Sequence, residues 1–524
     1  MTRRLRVAFL HPDLGLGGAE RLVVDACMEL AARGHTVDMY TAYYDPGRCF
    51  EETRSGAFAV LVAGGWFPRS VGGRLVAACA VVRCVLAALF LAMRVWSGAV
   101  PDYDVLVVDQ VAAVVPLLKL LLPGARLLFY CHFPDLLLSG GRGSRIKALY
   151  RAPLDALEQA ATGAADLALV NSNFTAAVYA ATFTRLAASG APPPRVLYPA
   201  VAVPGEADLA AAAAGWRGAL PAELAARIGS GPTFLSINRF ERKKGIGLAL
   251  SALQELLARR PDCGAQLVVA GGYDARLPEN REHLDELRAL AAELGVAERV
   301  AFLPSFTDGQ RGALLAACRA VVYTPAHEHF GIVPLEAMVA GRPVVAVNSG
   351  GPTESVRHGE TGLLCEPTPA AFADAMEALL EPKAAARMGA AARKHVIARF
   401  SRAAFGEQLN EYVLALAATG EVLQQQQQQP QQQLHDGAPA AAAAPAPADG
   451  GEFINTGLLT WLERRREWTA RRASGDAKRS SRKRTYSPAV TPEQVLSFAP
   501  FPKPVPLEDV VEVLTEVWEQ EDFY

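Results

Sequence analysis

Two glutamates, Glu328 and Glu336, stand eight positions apart in the stretch EHFGIVPLE. A carboxylate accepts two hydrogen bonds at once, which suits a pair of vicinal sugar hydroxyls, so one acid can hold a ribose while the other approaches a transferred sugar. The strand-like AVVYTP before them ends at Pro325, and Pro334 suits the first position of a helix PLEAMVA that stops at Gly341. On that reading Glu336 lies in the first helical turn and faces the loop holding Glu328. Taken alone, it could do no more than complement the helix dipole. The following loop, NSGGPTES, adds Glu354 at the same end of the chain's strands.

Two cations accompany the acids. The strand TFLSIN runs into RFERKKG, which places Arg239 and Lys244 at its carboxyl end. Arg can grip diphosphate oxygens in a fork and Lys adds a compact charge, so the pair could neutralise a leaving group without a metal; the alternative is a surface cluster of which Arg242 and Lys243 are members. Near the N-terminus, HPDLGLGGAE opens a helix, and Gly17 and Gly18 would let a phosphate approach its N-terminus. The dinucleotide fingerprint is not met, because Glu20 stands where the third glycine belongs and no acid ends the second strand at YTAYY, so an oxidoreductase is set aside. His132 closes the strand RLLFYCH and is either a core or capping histidine or a partner of the sugar or acceptor. His327 and His329 flank Glu328 with no evident third ligand, so no metal is expected. DYD at 102 to 104 precedes its strand and lies at the wrong end for a metal motif, while Asn173-Phe-Thr reads as a helix start.

These residues need strands and turns to hold them. Segments of strand, loop and helix alternate from residue 4 onward, pause in an Ala-, Gly- and Pro-rich stretch at 202 to 232, and resume, which predicts two doubly wound α/β domains facing a cleft. The divisions expected are an acceptor-side domain at 1–201, a nucleotide-sugar domain at 202–382, helices closing the second domain at 383–419, a Gln- and Ala-rich linker at 420–451 and a small tail at 452–524. A net charge of −2 on 524 residues is too small to imply a polyanion-binding surface across the whole molecule, so charge acts locally, and no nucleic-acid partner is expected. The eight cysteines lie in apolar stretches without a C-x-x-C, as in a cytosol-facing protein with reduced thiols. The first ten residues read as a strand rather than a signal peptide.

With these motifs in hand, the chain resembles the retaining GT-B glycosyltransferases of family four, and among them the eukaryotic α-1,3/α-1,6-mannosyltransferases of dolichol-linked oligosaccharide assembly. Four stretches carry the resemblance in order over about residues 4 to 415: HPDLGLGGAERLVVD, FYCHFPDLLL, NRFERKKG and EHFGIVPLEAMVAGRPVVAVNSGGPTE. The resemblance implies that Glu336 binds the nucleotide ribose and Glu328 lies by the donor sugar. It likewise makes Arg239 and Lys244 the diphosphate pair, Gly17 and Gly18 the glycine loop, and His132 the sugar histidine, with Phe330, Gly331 and Ile332 completing the donor site. It further implies GDP-mannose as donor, mannosyl-chitobiosyl-diphospho-dolichol as acceptor, α-1,3 and then α-1,6 transfer with retention, no cofactor, and a place on the cytosolic face of the endoplasmic reticulum membrane beside other lipid-linked oligosaccharide transferases. Base and sugar are not legible in the motifs themselves, so UDP-glucose or UDP-N-acetylglucosamine transfer and a catalytically silent membrane scaffold stand as rivals.

Two stretches bear on the membrane. LVAACAVVRCVLAALFLAM (75 to 93) is long and apolar, but Arg83 at its centre would cost about 2.5 to 3.5 kcal/mol in a bilayer, while Arg74 and Arg94 could snorkel. A helix partly in the core and partly facing the membrane is expected, over a full span or a wholly buried helix. GGRGSRIKALYR, with Arg142, Arg145, Lys147 and Arg151, is either a solvated loop and helix face or a basic lip meeting an anionic headgroup or diphosphate of the acceptor. The tail departs from the resemblance: in place of C-terminal apolar segments it carries a basic run (464 to 484) and an acidic end (508 to 522) and resembles a small plant and algal clamp-like domain, either a genuine fusion or two joined reading frames.

Overall fold

The computed structural model describes residues 3–71, 75–138, 145–228 and 230–428, so the expected tail at 452–524 lies outside the described residues. Strands β1 (Arg6–His11), β2 (Thr36–Thr41), β3 (Ala59–Val62), β4 (Val105–Asp109), β5 (Arg126–Cys131), β6 (Leu167–Val170) and β7 (Arg195–Val196) form one parallel sheet in the order β3-β2-β1-β4-β5-β6-β7. A second parallel sheet holds β8 (Thr233–Ile237), β9 (Gln266–Gly271), β10 (Val300–Pro304), β11 (Ala320–Tyr323), β12 (Val344–Val347) and β13 (Gly362–Cys365) in the order β10-β9-β8-β11-β12-β13. Helices cover both faces of each sheet, which is why strands such as VLVVD and QLVVAG are apolar almost throughout and fully buried. The two doubly wound α/β domains expected from the sequence are therefore present. In each, strand order reverses once, between β1 and β4 and between β8 and β11, and those crevices at the carboxyl ends are where such sheets bind ligands.

The chain's last described helix corrects one expectation. Helix Pro382–Phe400 does pack under the second sheet through Ala392, Val396 and Phe400, but helix Arg402–Gln428 places Phe405, Leu409 and Val413 in the core of the first sheet. The spacing of those three side chains by four makes one apolar stripe, and the first sheet offers the open face that it covers. Arg402 fastens the crossing through Asp25 at 2.8 Å and Glu52 at 3.2 Å.

Helix α1 (Gly18–Ala32) begins at the glycine loop, with the extended Gly17 as its N-cap. Helix α2 (Val76–Trp96) is long and apolar enough to cross a membrane by length and composition alone. Its inward face buries Cys79, Arg83, Cys84, Ala87, Ala88, Leu91 and Ala92 against the first sheet. Arg83 points to the protein, where Asp13 holds it at 2.6 Å; Asp13 also takes Arg69 at 3.0 Å. Val82, Leu89, Met93 and Trp96 stay exposed on the other side. All eight cysteines are free thiols, with Cys49 and Cys263 half-buried and the others buried.

Candidate active site

The half of the site expected to take the donor is built on the β8/β11 crevice. After β8 the chain passes Asn238 and Arg239, makes a tight turn at Arg242–Lys244, and reverses at Gly245 with φ of 59°, a left-handed value that glycine adopts without strain. The Thr324 hydroxyl donates to the Lys244 carbonyl at 2.8 Å, tying this turn to the end of β11. The Lys244 ammonium then donates to the Glu328 carboxylate at 2.5 Å. Arg239 reaches further out, 64% exposed and paired with Glu241 at 2.8 Å.

The loop carrying Glu328 is held by the NSGG loop after β12. Gly351 N–H donates to the Glu328 carbonyl at 2.8 Å and the His327 N–H donates to Ser349 at 3.1 Å. A Cβ at Gly351 would stand 2.1 Å from the Phe330 carbonyl oxygen, so the two backbones touch at a distance only glycine permits. Gly331, with φ of 81°, then turns the chain into helix Ile332–Val339. That helix starts two residues before Pro334. The first helical N–H groups have no partner in any case, so proline is as acceptable third as first, and Glu336 consequently sits in the second turn. Its carboxylate accepts from Arg311 at 3.0 Å. Burial pushes its pKa up and Arg311 opposes that rise. Arg239, Lys244, Glu328, Gly331, Ile332 and Glu336 all line one cavity of about 320 Å³, with Asn238, Tyr323 and Arg311. Phe330, expected with them, does not line it; it is buried against Tyr198 and Phe400. Arg311 was not singled out from the sequence, because nothing around it in TDGQRGALL marks it off from an ordinary helix face.

The other half is the β1/β4 crevice and its neighbour β5. His132 follows β5 with its ring against Tyr130, and Nε2 meets Asp109 at 2.8 Å. Its neighbour Phe133 stacks on His329 of the donor half, the ring centroids 3.7 Å apart and 8° from parallel, so the FYCHFPD and EHFG stretches touch face to face. Ser172 adds a second link, its hydroxyl donating to the His329 carbonyl at 2.6 Å. Glu354, expected at the ligand end, instead crosses to the first domain. It accepts from the backbone N–H groups of Asn173 and Phe174, each at 2.8 Å, and from the Tyr198 hydroxyl at 3.0 Å, so it satisfies the first two amides of helix Asn173–Thr182, whose N-cap Ser172 accepts from the Thr175 N–H. Gly17 lies against the Glu20 carboxylate, which a Cβ there would strike, whereas Gly18 has open space beside it.

A second cavity of about 600 Å³ opens in the first domain, walled by Val76, Ala80 and Val81 of α2 and by Leu154 and Leu157, with His132, Gln110 and Glu158 among its polar groups. Burial pushes the Glu158 carboxyl up to about 7. Of the expected basic lip, Arg142 and the side chains of Arg145 and Lys147 lie outside the described residues. Arg151 is buried and committed to Asp135 at 2.8 Å and Asp155 at 3.1 Å, so it is a structural ion-pair residue and no part of a solvated lip.

Two family models match the chain, Glycosyltransferase Family 4 over residues 16–188 and Glycosyl transferases group 1 over residues 226–395. The human protein named alpha-1,3/1,6-mannosyltransferase ALG2 is 49% identical over 418 residues, covering 78% of this chain and 96% of its own. The protein of the same name from Dictyostelium discoideum is 44% identical over 427 residues, covering 79% of this chain and 99% of its own. Among solved structures, a sucrose-phosphate synthase from Thermosynechococcus elongatus superposes with a TM-score of 0.58 at 24% identity, over 79% of this chain and 100% of that one. The Anabaena protein Alr3699/HepE, solved with UDP and glucose, does so with a TM-score of 0.55 at 20% identity, over 79% of this chain and 100% of that one. Both share the fold.

Proposed function

The chain belongs to the eukaryotic α-1,3/1,6-mannosyltransferases of N-glycan precursor synthesis, enzymes of GT-B fold, and we propose that it moves mannose from GDP-mannose onto mannosyl-chitobiosyl-diphospho-dolichol, first α-1,3 and then α-1,6, with retention. The observation that carries the residue assignment is the single cavity on which Arg239, Lys244, Glu328 and Glu336 converge, with His132 on the facing crevice. Glu336 takes the ribose hydroxyls, and Arg239 and Lys244 take the diphosphate and stabilise its charge as it departs. The glycine loop at Gly17 and Gly18 covers the phosphates from the other side. Glu328 and His132 fix the mannose. The acceptor hydroxyl then attacks on the face the diphosphate leaves, and a diphosphate oxygen takes its proton.

The exposed apolar side of α2, from Val82 to Trp96, meets the cytosolic surface of the endoplasmic reticulum membrane while Arg83 stays turned to the sheet. Arg142, Arg145 and Lys147 supply positive charge for an anionic partner, the acceptor diphosphate or a headgroup. Replacing Leu89 and Met93 together by Asp is expected to release the protein from liposomes in flotation; unchanged flotation would remove α2 from this role.

Purified protein given the lipid-linked acceptor and, separately, GDP-mannose, UDP-glucose and UDP-N-acetylglucosamine is expected to extend it by two hexoses with GDP-mannose alone, as read by mass analysis of the product. Extension by a UDP-sugar, or none with GDP-mannose, overturns the donor assignment. Full biological activity of both Glu328→Ala and Arg239→Ala would indicate a scaffold instead.

A further inference from the structure

Three polar side chains stand in line at the carboxyl ends of three adjacent strands of the first sheet: His11 on β1, Asp109 on β4 and His132 after β5. The Asp109 carboxylate is 1% exposed and is shared between His11 Nδ1 and His132 Nε2, each at 2.8 Å. His11 is equally buried, and only His132, at 25%, reaches the surface of the cleft. The line straddles the point where strand order reverses, and Gln110, the next residue after Asp109, holds a left-handed φ of 62° and lines the apolar cavity beside His132. A non-glycine residue in that conformation is uncommon and clusters at functional sites.

We propose that Asp109, anchored by His11, is a positioning residue for mannosyl transfer: it fixes the ring and proton position of His132, so that Nδ1 is the nitrogen offered to the donor sugar. This rests on the reading that His132 contacts the donor. The chemistry follows from what a carboxylate can do. Burial would raise the pKa of Asp109, but His132 and His11 outweigh it and hold the carboxyl down at about 2, so Asp109 is ionised and can only accept hydrogen bonds. Both ring nitrogens facing it must then be donors. His11 therefore carries its proton on Nδ1, and His132 carries one on Nε2. Burial pulls the His132 pKa down, yet Asp109, with a smaller contribution from Glu20, raises it overall and favours the doubly protonated ring, in which Nδ1 donates. The groups around the ring are Asp109 on β4, Glu20 on α1, Tyr130 on β5 and, beyond Asp109, His11 on β1; Glu158 lines the adjoining cavity.

Asp109→Asn keeps the shape and removes the charge. In the full-length protein it is expected to lower kcat by about 10- to 100-fold with KM for GDP-mannose within about threefold. His132 is charged below its pKa and loses its charge as pH rises, so the alkaline limb of the kcat profile should move to lower pH by about 1 unit. Adding Asp109→Asn to His132→Ala should cost no more than about twofold further, because the carboxylate then has no ring to position. A wild-type kcat and pH profile for Asp109→Asn, with His132→Ala impaired, overturns the positioning role alone. Full activity of His132→Ala overturns the donor-contact reading and the positioning role with it. If Asp109→Asn does not fold, His11→Leu carries the test: it removes the anchor and leaves Asp109 and His132 in place, and kcat should fall about 3- to 10-fold, with rescue by His11→Asn, which restores a donor near the Nδ1 position. An unchanged kcat in His11→Leu overturns the proposal.

Discussion

Lys244→Ala is expected to lower kcat by about 10²- to 10³-fold, the range seen when one preorganised stabiliser of developing charge is removed. The geometry explains why the loss should exceed that of Arg239→Ala. Lys244 is 13% exposed, clamped through its own carbonyl by Thr324, and placed 2.5 Å from Glu328, whereas Arg239 is 64% exposed and must fold inward to reach a diphosphate. Removing the ammonium also strips Glu328 of its cation and, with the donor placed as proposed, leaves a half-buried carboxylate to repel the diphosphate. Lys244→Arg should not restore the rate, since the planar guanidinium is bulkier than the ammonium the packed turn accommodates. Steady-state kinetics of the three variants check this ordering. A Lys244→Ala enzyme with wild-type kcat would mean that the leaving group is stabilised elsewhere.

Gly351→Ala is expected to cost about 3 kcal/mol and to lower Tm by about 6 to 12 °C, through overpacking of backbone on backbone. Gly351 has φ of −56°, so its conformation is open to alanine; the obstacle is the Phe330 carbonyl oxygen 2.1 Å from the new methyl. Neither backbone can yield without moving the Glu328 carbonyl, which accepts from Gly351 N–H at 2.8 Å, so residual folded protein should also be slow. Gly312→Ala is the control: it sits inside helix Asp308–Ala317 with nothing near its added methyl, and alanine there should stabilise by about 0.5 to 1 kcal/mol. Thermal melts compare the two, and equal melting temperatures would remove the backbone contact as a determinant of stability.

That the acids Glu328 and Glu336 and the cations Arg239 and Lys244 come together was legible because each sits within a few residues of a strand end, where apolar runs, glycine and proline mark the turn. The same local signal placed the strands, although the short edge strands AVLV, RV and GLLC, half exposed or only two residues long, gave no comparable pattern. Asp109 and His11 were not legible as a pair. They are 98 residues apart, each closes an apolar strand, and only the strand order brings them side by side. Glu354 failed for a related reason: its spacing from a glycine loop placed it at the cleft, but the partner it meets belongs to the other domain, and no periodicity records which domain a side chain will face. Helix Ile332–Val339 began early because proline near a helix start fixes the turn without fixing which of the first positions it takes.

Glu354 makes opening of the cleft and the loss of two hydrogen bonds at a helix start one event. Its carboxylate belongs to the second domain, while the amides it satisfies, Asn173 and Phe174, start a helix of the first, so the halves cannot part without exposing those amides to water. Ser172, the N-cap itself, keeps its bond from the Thr175 N–H, so the loss is confined to the two amides that Glu354 satisfies, about 1 kcal/mol or roughly a fivefold bias. On its own such a bias is too small to lock the halves together, and Ser172 and Phe133 add their contacts with His329 to it. Exchange of the Phe174 amide with solvent therefore reads out how often the cleft opens.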